Sequence, residues 1–306
     1  MPTDAEKHQG IVVGVDGSPS SKTAVCWAAR EAAMRNVSLS LIHVIERPPW
    51  GLLALGGGAV QPPPDALEWQ RTEGAEIISA AVKIAKDSTQ DRCIPDLHAE
   101  VYFSAIAPTL FEFSNQAQMI VVGSRGHTAV GRVLLGSIST GLIHHARCPV
   151  AVVHGGAQSS SERSQLPVVV GIDGSPASET ATAIAFEEAS WRGVELIAIH
   201  AWSDQHKSDA PSDEWPSMQA VGEKALAERL AGWQERFPDV VVRRRIVSDA
   251  PALHLLEAAE SSQLVVVGSH GRGGFAGMLL GSVSTAVAQA AHVPVIVARQ
   301  QRQPGS

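Results

Sequence analysis

Two short stretches of this chain nearly repeat each other: IVVGVDGS at residues 11–18 and VVVGIDGS at residues 168–175. The likeness continues downstream. IVVGS at 120–124 returns as VVVGS at 265–269, LLGSIST at 134–140 as LLGSVST at 279–285, and CPVAVV at 148–153 as VPVIVA at 293–298. The first pair lies 157 positions apart and the other three lie 145 apart. Duplication constrains the fold more than any local pattern, because whatever one copy forms the other must form as well. A chain of 306 residues has room for two domains of about 150. The shift from 157 to 145 gives the first copy 12 extra residues, most of them near WGLLALGGGAVQPPP at 50–64, which is loop composition. GGAQSSSERSQ at 155–165 has the composition of a flexible linker. The sequence thus divides into a first domain over 1–154, a linker over 155–166, a second domain over 167–300 and a tail over 301–306.

Within each copy, short runs rich in Val and Ile alternate with helical stretches. The runs are IVVGV, LSLIHV, MIVVG and PVAVV in the first copy, and VVVGI, LIAIHA, LVVVG and PVIVA in the second. They are continuously apolar rather than alternating, which marks strands buried on both faces of a parallel sheet. Third strands near 97–103 and 240–247 are less apolar and belong at an edge. Ser18-Pro19 and Ser175-Pro176 place an N-cap serine and a first-turn proline at equivalent helix starts. Further helices are expected over 67–90, 107–117, 215–237 and 250–262. The order β-α-β-α-β-α-β-α-β predicts two tandem doubly wound, Rossmann-like α/β domains, each a five-stranded parallel sheet flanked by helices. Ligands of such sheets sit at the carboxyl ends of the strands, where strand order reverses.

The chemistry-bearing pattern follows the fourth strand. In the first copy Gly123-Ser-Arg-Gly126 is followed by nine residues and then Gly136-Ser137-Ile-Ser139; in the second, Gly268-Ser-His-Gly271 is followed by nine residues and then Gly281-Ser282-Val-Ser284. The first glycine would end a strand in a tight turn, and the second would let backbone N–H groups approach a ligand. The third would begin a helix whose N-terminus attracts anions, with the serines adding hydroxyls. A plainer reading makes these glycines turns and the serines caps, but identical spacing in two copies favours a phosphate cradle. Asp16 and Asp173 close the first strands and point toward the same crevice. Such a carboxylate can accept from ribose hydroxyls or an adenine amine, or make an Asx-turn within DGSP, or both.

Other classes of function find less support. The first copy carries 14 acidic and 12 basic side chains and the whole chain is −7, so neither nucleic acid nor an anionic membrane is an expected partner. Three cysteines, Cys26, Cys93 and Cys148, lie in the first copy without a C-x-x-C pair, as befits a reducing cytoplasm. No apolar run approaches the ~20 residues of a membrane span, and MPTDAEKHQG does not resemble a signal peptide. Neither Walker-A nor G-x-G-x-x-G is present. His144-His145 and Arg243-Arg244-Arg245 read as packing or solvated surface, and Trp50 and Trp69 as core or loop packing. No paired acid and base emerges, so binding with at most slow hydrolysis is expected rather than an enzyme.

VGVDGS, the G-2x-G-9x-G-[ST] spacing and the PV-x-V-V ending resemble the universal stress protein family in its ATP-binding subtype, over nearly the whole chain twice, as in the tandem forms of actinobacteria. The resemblance implies ATP, with Mg²⁺ at the phosphates, in a cleft beside strands one and four. It implies adenosine contacts at Asp16 and the backbone of Val44, and phosphate contacts at Gly126, Gly136, Ser137 and Ser139, with Gly123 shaping the turn. The second-copy counterparts are Asp173, Ala201, Gly271, Gly281, Ser282 and Ser284, with Gly268 at the turn. It also implies self-association through the fifth strands, within the chain and between chains. Arg125 faces His270 in the alignment of the copies, and Val44 faces Ala201, so the two sites need not bind alike. The role implied is regulatory, in stress adaptation or growth control; a slow adenine-nucleotide hydrolase and an interaction scaffold with vestigial sites are the alternatives.

Overall fold

The structure, a computed structural model, describes residues 9–46, 64–89, 93–126, 135–155, 163–202, 215–271 and 280–299. The glycine- and proline-rich stretch at 50–63, Trp50, both nine-residue loops except their last residues, most of the linker and the tail lie outside these residues.

The first copy runs β1 (Ile11–Gly14), α1 (Pro19–Arg35), β2 (Leu39–Ile45), α2 (Pro64–Asp87), β3 (Leu97–Phe103), α3 (Ile106–Phe113), β4 (Met119–Gly123), α4 (Ser137–His145) and β5 (Val150–Val153). The second runs β6 (Val168–Gly171), α5 (Pro176–Arg192), β7 (Leu196–Trp202), α6 (Trp215–Arg236), β8 (Val242–Ser248), α7 (Pro251–Glu260), β9 (Leu264–Gly268), α8 (Ser282–Ala290) and β10 (Val295–Ala298). The strands form one ten-stranded sheet in the order β3-β2-β1-β4-β5-β10-β9-β6-β7-β8. Every pairing is parallel except the central one, where β5 and β10 run antiparallel with Val150 opposite Val297 and Val152 opposite Val295.

The apolar runs are explained by helices on both faces. Ile11, Val13, Leu39, Leu41, Met119 and Val121 face one core with Ala24, Ala28 and Ala32 of α1, whereas Val12, Ile42, Ile120 and Val122 face the other with Leu110 and Leu142. Each core continues through the second copy. The alanine face of α1 lets the helix lie close on the sheet, and its first turn is capped: the Ser18 hydroxyl accepts from Ser21 N–H at 3.2 Å, with Pro19 next. Ser175 does the same for α5. The edges are β3 and β8. Arg243, Arg244 and Arg245 are exposed on β8, a charged edge of the kind that resists pairing with other chains, and Arg243 reaches Glu195 at 3.2 Å. Trp69, expected to pack, stands 64% exposed on α2, because its helix face looks outward.

The seam between copies is more than a strand ladder. On one face, Glu31 and Arg35 of α1 meet Glu188 and Arg192 of α5 in a closed ring of four charges. Arg35 Nε lies 2.8 Å from Glu31, Arg192 Nη2 lies 2.6 Å from Glu31 and 2.8 Å from Glu188, and Arg35 also bonds Glu188. Both glutamates are fully buried, and the Arg35 guanidinium also stacks on Trp191. Burial together with the neighbouring Glu31 pushes Glu188 up to about 7. Burial also acts upward on Glu31, but Arg192 and Arg35 outweigh it and bring it down to about 2.

Candidate functional site

The end of β1 and the loop after β4 meet at the carboxyl edge of the sheet. Gly17 and Gly174 have φ of 83° and 76°, a conformation open to glycine, and turn the chain from strand to helix. Asp16 Oδ1 accepts the Ser18 N–H at 2.9 Å, and Asp173 Oδ1 accepts the Ser175 N–H at 2.9 Å, so both aspartates make the Asx-turn. Each has a second oxygen directed at the fourth-strand loop. A Cβ placed on Gly126 would lie 2.9 Å from Asp16 Oδ2, and one on Gly271 only 2.6 Å from Asp173 Oδ2. The close approach of these carboxylates explains the glycines.

The cradle is tied in the same way in both copies. Gly136 N–H donates to Ser124 O at 2.8 Å, and Gly281 N–H to Ser269 O at 2.7 Å. Gly136 and Gly281 are the N-caps of α4 and α8. Neither helix carries an acidic first turn, so the N–H groups and dipole there are not neutralised by side chains of that turn. Ser137 and Ser282 are exposed at the first helical position. Ser139 and Ser284 are turned inward: their hydroxyls donate to Gly123 O at 2.7 Å and Gly268 O at 2.6 Å. What these two residues offer an anion is therefore the backbone N–H, with the hydroxyl proton already engaged. Gly123 and Gly268 serve for a different reason than a tight turn. A Cβ on Gly123 would lie 2.8 Å from the Ser20 backbone and 2.9 Å from Ser21 N; on Gly268 it would meet Ala177 and Ser178 equally closely. The fourth strand ends against the first turn of α1 or α5, with no space for a side chain.

Val44 lies near the end of β2, opposite Tyr102 of β3. Ile42 O accepts Val15 N–H at 2.8 Å, and β1 ends there. Because strand backbones alternate sides with a period of two, Val44 turns its N–H and C=O to the same side, where β1 has run out. Ala201 holds the same place in β7, opposite Val247. Beside them are residues that the motif reading passed over. His43 Nδ1 lies 2.7 Å from Val15 O and His200 Nδ1 lies 2.6 Å from Ile172 O. A carbonyl only accepts, so Nδ1 carries the proton in each and the imidazole closes the ladder. The matching histidines of LSLIHV and LIAIHA were the available signal. Ser20 and Ser18 both donate to Arg125 O, the latter at 3.3 Å, and Ser175 donates to His270 O at 3.1 Å, fixing the middle of each G-x-x-G turn.

The comparisons with known proteins agree with this architecture. The model of the universal stress protein family matches residues 8–154 and again 166–299. Universal stress protein Rv2005c of Mycobacterium tuberculosis is 52% identical over 299 residues, covering 96% of this chain and 98% of that protein. Universal stress protein Rv2623 of the same organism is 47% identical, covering 95% and 96%. Among solved structures, a universal stress protein from Archaeoglobus fulgidus superposes with a TM-score of 0.67 at 20% identity, over 96% of this chain and 99% of that one.

Proposed function

The chain belongs to the universal stress protein family, and on that premise we propose that it binds adenine nucleotide, ATP with Mg²⁺, at one site in each copy as a cytoplasmic regulatory protein. The observation that carries this reading is the doubled cradle: an aspartate oxygen, a Cβ-free glycine and the N-terminus of a nine-residue helix, assembled twice with the same hydrogen bonds. Such a place suits a phosphate chain. The adenosine end would lie against Asp16 and the backbone of Val44, or Asp173 and Ala201; the phosphates would meet Gly126, Gly136, Ser137 and the Ser139 N–H, or Gly271, Gly281, Ser282 and the Ser284 N–H. Among the described residues no cluster of three metal-ligating side chains occurs. Mg²⁺ would then be held chiefly by phosphate oxygens and water, which is its usual habit, with Asp16 Oδ2 or Asp173 Oδ2 the carboxylate at hand. No helix among the described residues is long and apolar enough to cross a membrane. Pairing of whole chains would enlarge the same assembly.

The reading is regulatory because an acid and a base flanking the phosphates are not part of it. Asp16 already holds the Ser18 N–H through one oxygen. The test is equilibrium dialysis with labelled ATP on the wild type, Gly126→Asp, Gly271→Asp and the double variant. Two, one, one and no equivalents are expected. Release of product at about one per second, the low end for enzymes, with loss in the double variant, would favour a hydrolase instead. Equal binding by all four proteins would place the nucleotide elsewhere.

A further inference from the structure

The first cradle opens onto the seam, and the wall on the far side belongs to the other copy. A cleft of about 540 Å³, within the range of small-molecule sites, is lined by Ser18, Ser20, Arg125 and Gly126 of the first copy and by Gln289 and His292, at the end of α8, of the second. His154, which follows β5, lines it too. Burial holds the His154 imidazole below its ordinary value, and the neighbouring His292 and Arg125 act in the same direction. The second copy has a basic residue at the equivalent strand end. Arg299 occupies the place after β10 that His154 has after β5, and it donates to Ile143 O in the last turn of α4. His144, beside it, is held below its ordinary value by burial and by the neighbouring His145, Arg299 and His270. Thus α8 begins at its own cradle and ends at the other copy's, beside the first turn of α1.

We propose that the first nucleotide site is completed across the seam: Arg125 and His154 of the first copy, with His292 of the second, receive the terminal phosphates at the first cradle. The inference rests on the nucleotide reading above and deepens it. It makes the seam residues determinants of phosphate number, with little influence on adenosine.

The test uses the full chain with Gly271→Asp, which silences the second cradle, and measures ATP and AMP affinity by calorimetry in the presence of Mg²⁺. His292 is exposed, so its replacement leaves the fold intact, and AMP binding reports that directly. His292→Ala should weaken ATP about 5- to 10-fold and His292→Glu about 30-fold or more, with AMP unchanged within about twofold, while His292→Arg should retain the preference for ATP. ATP and AMP both bound, with their ratio unmoved by all three variants, would overturn the cross-seam subsite and leave the nucleotide reading standing. Neither nucleotide bound by the unsubstituted chain would overturn that reading and the subsite with it.

Discussion

Replacing Arg35 by methionine should be among the most damaging single changes outside the nucleotide sites. Arg35 is one of two cations that neutralise Glu31 and Glu188, both fully buried between α1 and α5. Its loss leaves two carboxylates facing one guanidinium, Arg192, in a place that water does not reach. Removing one partner of a buried ion pair costs about 3–5 kcal/mol, mainly because the remaining charge is uncompensated. Methionine retains much of the stem packing against Trp191, so the loss reports charge rather than volume. Against a typical total of about 5–15 kcal/mol, this should move the urea midpoint substantially. A second substitution, Glu188→Met, should recover most of the loss by removing the carboxylate that Arg35 had served, leaving the Glu31–Arg192 pair. Urea unfolding followed by tryptophan fluorescence and by circular dichroism gives both numbers. A cost below about 1 kcal/mol for Arg35→Met, or a double variant no better than the single one, would refute the claim that the ring of charges holds the copies together.

The same ring sets a pH dependence. Glu188 has its pKa raised to about 7, so its contribution is complete below the ordinary carboxylate value and is lost as pH rises through 7; stability should fall between pH 4.5 and 8, and Glu188→Gln should flatten that slope in pH-dependent melts. Glu31, lowered to about 2, contributes above about pH 4.5 and fails only as pH drops toward 2. Gly123→Ala should destabilise by about 1–3 kcal/mol, since its Cβ would lie 2.8 Å from the Ser20 backbone, whereas Gly136→Ala, with nothing nearer than 3.7 Å, should cost under about 1 kcal/mol by thermal unfolding. Cys93 is exposed and should react with iodoacetamide in the native protein, while Cys148, buried and pushed up to about 12, should react only on unfolding, as peptide mass spectrometry will show.

Much of the fold was legible because the sequence states it twice. The four apolar runs, the Ser-Pro helix starts and the polar third strands at the edges each follow from a local physical rule, and the second copy checks the first. Orientation was harder. The motif names Ser139 and Ser284, but only the coordinates show their hydroxyls turned to the Gly123 and Gly268 carbonyls. Gly123 resembled a turn residue and is instead a residue of close approach to α1. The ring of charges was present as Glu-x-x-x-Arg at the same place in both copies, 157 positions apart, yet a lone helix cannot reveal that its salt bridge faces another one.

Native mass spectrometry of the freshly purified chain, with the released ligand identified, addresses the central claim directly. Two adenine nucleotides per chain, falling to one in Gly126→Asp or Gly271→Asp and to none in the double variant, is the predicted result. A chain that carries no nucleotide and takes up none of added ATP, AMP or cyclic AMP would contradict the account.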